Sequence, residues 1–238
     1  MARLWQAMAG RIWPGRHEFS WIDQQGEQLT IYTLIPEYGK LITWRLPGEA
    51  LVETVFGYGQ YQWRKIFALG ELDGRGGETL RLTSQQVLGL AVAGWRNGDR
   101  TNFSWVDWLK WSYWDKFKVK ERLTIDLSQS DDWQRQGLIN EQVFSQQAAG
   151  ESLSLSLING RRLGAVIANH GIELVSVTAG EAVPETTTLF IREKNHRHSL
   201  TVAWLKQLLP GLRLETATAA DFWADLVLVV GKDYNYYH

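Results

Sequence analysis

The sequence predicts an α/β protein in two parts. A mixed-sheet α/β module comes first, then a small C-terminal α/β sandwich with the element order β-α-β-β-α-β-β. Three observations predict this. From residue 151 onward, apolar runs of strand length alternate with helix-periodic segments, the pattern that builds layered α/β folds. Leu226 to Val230 is an unbroken, β-branched-rich apolar run, as expected of a strand covered on both faces. Near the N-terminus, Leu29–Ile35 and Leu41–Leu46 are separated by a short turn containing Pro36 and Gly39, which suits an antiparallel hairpin.

In chain order, residues 1–18 form an amphipathic segment. Leu4, Trp5, Met8, Ala9, Ile12 and Trp13 recur at helical spacing beside Arg3, Arg11 and Arg16, and Pro14-Gly15 closes it. Such a segment either lies in a membrane interface with Trp5 and Trp13 among the headgroups or docks as a terminal helix on the protein, the commoner use of short apolar periodicity. Residues 19–46 read as two strands. Residues 61–72 read as a helix through Trp63, Ile66, Phe67 and Leu69. A glycine-rich turn leads to a second helix, whose buried side is Leu80, Leu82, Val87 and Leu88 and which stops at Gly89. Leu90–Ala93 suits a short strand.

Residues 101–118 are the compositional outlier. Ser104 and Asp107 form an acidic capping box. Trp105, Trp108, Trp111 and Trp114 follow at every third position. Steps of three lag a 3.6-residue helix, so Trp105 and Trp114 fall about 180° apart. The helix is therefore aromatic most of the way round, either buried on several sides or touching a second partner. Lys110, Lys116, Lys118 and Lys120 accompany it, a mixture that suits a membrane interface or a glycan as well as a wide core helix with snorkelling lysines. Leu123–Leu127 reads as a strand, and the Gln-, Ser- and Asp-rich residues 128–150 read as a polar linker, part of which (Leu138, Ile139, Val143, Phe144) suits a helix. The final module divides into pieces at 152–158, 161–170, 172–178, 186–193, 199–209, 212–217 and 224–230. The organisation is thus 1–18, 19–127, 128–150 and 151–238.

Composition excludes several classes. The net charge of −1 gives no global attraction for nucleic acid. The absence of cysteine rules out disulfides, thiolate metal sites and cysteine nucleophiles. No run approaches the roughly 20 apolar residues that span a bilayer, and residues 1–16 lack the apolar core of a secretory signal. Neither standard glycine-rich phosphate loop is present, nor a Gly-x-Ser-x-Gly elbow, nor a basic aromatic RNA-binding sheet motif. His196 and His198 have no third ligand near them in sequence.

Three groups of residues carry candidate chemistry. Glu49 and Glu53 sit beside a Pro-Gly turn, where they either support a metal or are simply solvated. Arg64 and Lys65 stand next to Tyr61 and Trp63, a set able to stack on a sugar and bind its phosphate or to start a helix with aromatic packing. Asn159-Gly160-Arg161-Arg162 places two arginines at an expected helix N-terminus. Exposed N–H groups there favour anions, although solvated arginines are the plainer use of the pair.

Two stretches resemble the LytR-CpsA-Psr family of bacterial cell-envelope proteins. The C-terminal module resembles the family's separate LytR C-terminal domain. The matching pieces are Leu157-Ile-Asn-Gly160, the glycine-bounded helix, Thr187–Ile191 and the closing Ala224–Tyr234. In the first module, Leu46–Glu53, Gly57–Ile66 and Leu80–Val92 resemble three family segments. The resemblance implies a fold used to transfer glycopolymers from a polyprenyl-diphosphate carrier to the wall. Arginines hold the diphosphate there and carboxylates hold magnesium, because charge developing on phosphate oxygens needs cations. Here Gly48 stands at the key arginine position and Glu49 at the neighbouring aspartate. The tryptophan helix occupies the place of the later arginine-rich segment.

The expected protein is therefore a non-catalytic, extracytoplasmic envelope protein that needs no cofactor. Its C-terminal domain would bind a wall glycopolymer or an envelope protein through Asn159, Arg161 and Arg162, with Tyr61, Trp63 and Lys65 as a second glycan or anion contact. Trp5, Trp13, Trp105, Trp108, Trp111 and Trp114 would contact a membrane surface or partner. The alternative is a divergent transferase acting on a polyprenyl-diphosphate-linked substrate, with Glu49, Arg45 and Arg64 at its centre and magnesium as its metal. A third class is a membrane-peripheral scaffold.

Overall fold

A computed structural model describes residues 18–128, 132–216 and 223–237. The amphipathic segment at 1–16, with Trp5 and Trp13, lies outside the described residues. The chain divides into two compact units, Met1–Gln136 and Gly137–His238.

The first unit contains β1 (Phe19–Gln25), β2 (Gln28–Ile35), β3 (Lys40–Leu46), β4 (Leu51–Glu53), β5 (Gln60–Gln62), β6 (Val92–Asn97), β7 (Arg100–Thr101) and β8 (Glu121–Asp126). Six of these form one sheet in the order β7-β6-β1-β2-β3-β8, and β4-β5 is a separate ribbon. β1, β2 and β3 pair antiparallel, while β6 and β8 run parallel to β1 and β3. The expected hairpin is β2-β3, but residues 19–46 hold three strands, not two. β1 hides its period because Ser20, Asp23 and Gln24 are buried alongside its apolar residues. Its own signal is the two-residue turn at Gly26 (φ 61°), a conformation that favours glycine and closes hairpins.

Side chains alternate across a sheet, and the register sorts them into two faces. Ser20, Ile22, Ile31, Thr33, Ile42 and Trp44 share one face and are fully buried. Two hydroxyls survive there because they bond each other: Ser20 Oγ lies 2.9 Å from Thr33 Oγ1, which accepts from Trp44 Nε1 at 2.9 Å. This satisfies groups that would otherwise be costly to bury. Helices α1 (Ile66–Glu71) and α2 (Gly76–Leu88) belong to this face. Trp95 stands in register with Ile22, and its ring fills the space a Cβ would need at Gly77. Gly89 ends α2 in the left-handed region, φ 63°. The helix expected over 61–72 begins only at Ile66, because Tyr61 lies in β5 and Trp63–Lys65 form a 3-10 turn. The strand expected at 90–93 runs instead from Val92 to Asn97.

The opposite face carries Phe19, Trp21, Tyr32, Leu34 and Leu41 and is covered by α3 (Trp105–Phe117). The first unit is therefore a helix–sheet–helix sandwich. The described residues of 128–150 are largely helical. They contain α4 (Asp132–Val143) and α5 (Gln146–Gly150). Ile139 and Val143 are buried.

The second unit follows the expected order: β9 (Ser154–Ile158), α6 (Gly164–Asn169), β10 (Glu173–Thr178), β11 (Thr188–Ile191), α7 (Leu200–Leu208), β12 (Arg213–Thr216) and β13 (Leu226–Val229). The sheet order is β10-β9-β13-β11-β12. Each βαβ half pairs its strands in parallel, β9 with β10 and β11 with β12. The last strand enters between the halves, and Leu226, Val227 and Leu228 are buried on both of its faces. Register places Leu155, Leu226 and Ile191 in one row and Leu157, Leu228 and Leu189 in the next. Ser199 caps α7 by accepting from Val202 N at 3.1 Å, and the Glu151 carboxylate accepts from Leu200 N and Thr201 N at 2.6 and 2.9 Å. A carboxylate is favoured at that helix end by the dipole.

Candidate functional site

The chemically dense part of the first unit is where α3 meets the sheet. Its start is fixed by the expected box: Asp107 N donates to Ser104 Oγ at 3.2 Å, and Ser104 N donates to Asp107 Oδ2 at 3.0 Å. From that start, the three-residue spacing divides the aromatics. Trp108, Trp111 and Trp114 turn inward, partly buried against Phe19, Trp21 and Leu34. Trp105 faces outward at 64% exposure, in line with Leu109, Tyr113 and Phe117 at 58%, 50% and 73%.

Inward, the aromatic layer closes around an ion pair that sequence reasoning missed. Asp23 and Arg96 are register neighbours on β1 and β6. Arg96 donates from Nε to Asp23 Oδ1 at 2.8 Å and from Nη2 to Oδ2 at 2.5 Å. Its guanidinium carbon lies 5.3 Å from the Trp21 ring centroid and 5.5 Å from that of Trp108. Tyr32 stacks on Trp21 at 4.7 Å. The fork geometry and both ring faces use the charge fully, and the bond to Asp23 raises the arginine's pKa further. Burial, followed by the nearby Asp23 carboxylate, pushes the Tyr32 hydroxyl above its ordinary value of 10.0. The available signal was an acid and a base in two otherwise aromatic stretches, Phe19–Asp23 and Gly94–Arg96.

The Glu49 group has different geometry. Arg64 Nη1 bonds both Glu27 Oε1 and Glu49 Oε1, the latter at 2.9 Å. Gln62 Nε2 donates to Glu49 Oε2 at 2.9 Å. One guanidinium thus sits between two carboxylates. The turn beneath them is closed: Arg64 N donates to Gly48 O at 3.1 Å, and a Cβ at Gly48 would lie 2.8 Å from the Glu27 carbonyl oxygen. Arg45 does not join this group. Its register mates Thr30 and Asp126 place it on the α3 face, whereas the Arg64 carbonyl is held at 2.8 Å by Gln24, on the other face. Tyr61 and Lys65 are exposed, but Trp63 is 1% exposed and offers no ring to a ligand. These residues do not suit a magnesium ion, because both carboxylates are already bonded to the arginine. Among the described residues no group of three His, Asp or Glu side chains could hold a metal.

At the carboxyl end of β9, Asn159 takes a left-handed conformation (φ 60°). Its Oδ1 accepts from Gly180 N at 2.6 Å and its Nδ2 donates to Ala182 O at 3.2 Å. Its amide is therefore used to build the turn. Gly160 is required by space, since a Cβ there would meet Val230 and Leu157. The arginines follow in a 3-10 turn, Arg161–Leu163, ahead of the six-residue α6, with Arg161 exposed and Arg162 half-buried. No helix among the described residues is long and apolar enough to cross a membrane.

These features define a layered α/β unit with an aromatic cap, followed by a five-stranded β-α-β-β-α-β-β unit. No family model matches the chain, and no curated protein matches it. Solved structures similar to it include TagU of B. subtilis, at 16% identity over 34% of this chain and 34% of that one, TM-score 0.29. TagT of B. subtilis is similar at 18% identity over 35% and 34%, TM-score 0.31. A LytR-CPS2A-psr family protein, YwtF (TagT) with bound octaprenyl pyrophosphate lipid, is similar at 11% identity over 48% and 78%, TM-score 0.40. The chain spans about a third of the length of the first two.

Proposed function

We propose that this is a non-catalytic protein of the bacterial cell envelope that binds a wall glycopolymer through its C-terminal unit. In this reading the first unit keeps a transferase-like layered sheet without its diphosphate site. The observation that carries the reading is the closure of Arg64 between Glu27 and Glu49. A diphosphate must be met by unneutralised cations, and here the available arginine is already matched by two carboxylates. The tight contact at Gly48 supports the same reading, because a side chain at that position would have to displace the Glu27 carbonyl.

Binding is assigned to Arg161 and Arg162, held at the carboxyl end of β9 by the Asn159 turn, where open α/β sheets place ligands. The test is cosedimentation of the full chain with isolated bacterial walls. The wild type should sediment with walls and be released by salt, while Arg161→Ala/Arg162→Ala should remain in the supernatant. Unchanged retention of the double variant would remove the site from the account. Loss of binding after the anionic polymer is stripped from the walls would identify the glycopolymer, rather than a wall protein, as the partner.

The rival reading, a divergent transferase, has one observation in its favour. Arg96, Asp23, Thr30, Arg45 and Asp126 form one register row across a single sheet face. It would require Arg96 to leave Asp23 for a substrate.

A further inference from the structure

We propose that the outer stripe of α3, Trp105, Leu109, Tyr113 and Phe117, docks the protein on an anionic lipid surface. The inference is independent of the wall-binding reading. The four side chains recur every fourth residue, so each neighbours the next on the helix surface, in a stripe about 18 Å long that winds about 120° around the axis. All four are exposed, as reported above, although the same helix packs its other tryptophans, partly buried, against the core. Large aromatics are usually the first residues a fold buries. A continuous exposed line of them marks a contact surface.

The surrounding charge selects the occupant. Residues 105–122 carry Lys110, Lys116, Lys118, Lys120 and Arg122 against Asp107, Asp115 and Glu121. The acids are all engaged within the fold. Asp107 is in the cap, Asp115 bonds Arg122 at 2.8 Å, and Glu121 faces Lys40 at 3.9 Å. Lys118 borders the stripe directly, its Nζ 5.8 Å from the Tyr113 ring centroid, and Lys116, Lys118 and Lys120 are exposed. An apolar aromatic line edged by lysines matches a bilayer surface, with rings at headgroup depth and ammonium groups among lipid phosphates. A stable protein interface needs roughly 20–30 residues a side, far more than one convex line of four.

The experiment is flotation of the full chain with vesicles of phosphatidylcholine alone and with added phosphatidylglycerol. The wild type should float with the anionic vesicles, and more weakly with neutral ones or at high salt. Trp105→Ser/Leu109→Ser/Phe117→Ser should weaken binding to both by at least about tenfold. Lys116→Glu/Lys118→Glu should leave neutral-vesicle binding intact and lower anionic binding by about fivefold or more per lysine. Circular dichroism checks that both variants are folded, and the lysine pair, on an exposed helix end, retains the test if the triple variant unfolds. Wild type that stays at the bottom with both vesicles would overturn the proposal, as would equal flotation of the triple variant. A triple variant that turns a dimer into a monomer while floating normally would assign the stripe to self-association and overturn it equally.

Discussion

The two faces of the N-terminal sheet are built from the same strands and hold opposite chemistry. One face seals two hydroxyls and an indole into a neutral chain of bonds among isoleucines. The other holds a charge pair, with its carboxylate buried and its arginine partly solvated, beside tryptophans. The difference shows that burial constrains partnership and not polarity. Ser20 and Asp23 are both buried strand residues, and each is tolerated because a register neighbour completes its bonds.

Substitutions on each face test this comparison. Trp44→Ala removes the indole from Thr33 and opens a large cavity, so stability should fall by about 3–5 kcal/mol in urea unfolding. Asp23→Asn should cost about 2–3 kcal/mol, below the range for a fully buried pair because Arg96 stays partly solvated. A smaller loss than that of Ser104→Ala, about 1 kcal/mol for a lost cap, would mean that the pair contributes little to closing α3 on the sheet. The faces should also differ in alkali. Tyr32 titrates higher when folded than when unfolded. Its contribution is therefore complete below the unfolded value near 10 and is lost as pH rises through the folded value. Tyr32→Phe should flatten that alkaline loss relative to wild type, while changes on the neutral face should leave it unaltered. Smallest of all, Trp105→Ala should change stability by less than about 0.5 kcal/mol, since its ring stands in solvent.

How much the sequence revealed also differed by region. In the C-terminal unit β9, β10 and β13 are short runs that end near Gly160, Gly180 and Gly231, so the element order was legible, down to the Ser199 cap. In the first unit β1 was hidden because three of its four polar residues are buried, and the β4-β5 ribbon lies in a stretch without alternation. The capping box at Ser104 was legible because it is local. Which tryptophans of α3 face inward was not, because that depends on which side of the helix meets the sheet. The same limit holds for the sites. Asn159-Gly160 marked a turn correctly, but the use of the Asn159 amide to hold residues 180–182 is a long-range fact. The match of Arg64 by Glu27 depends on residues 37 apart.

The most direct test of binding without catalysis is a turnover assay with the full chain, a labelled polyprenyl-diphosphate-linked glycopolymer, magnesium and isolated walls. After boiling in detergent, the account predicts that no label stays covalently attached to the wall. Detergent-resistant label that disappears in Arg64→Ala would contradict it, because Arg64 would then have to leave its two carboxylates to serve a diphosphate.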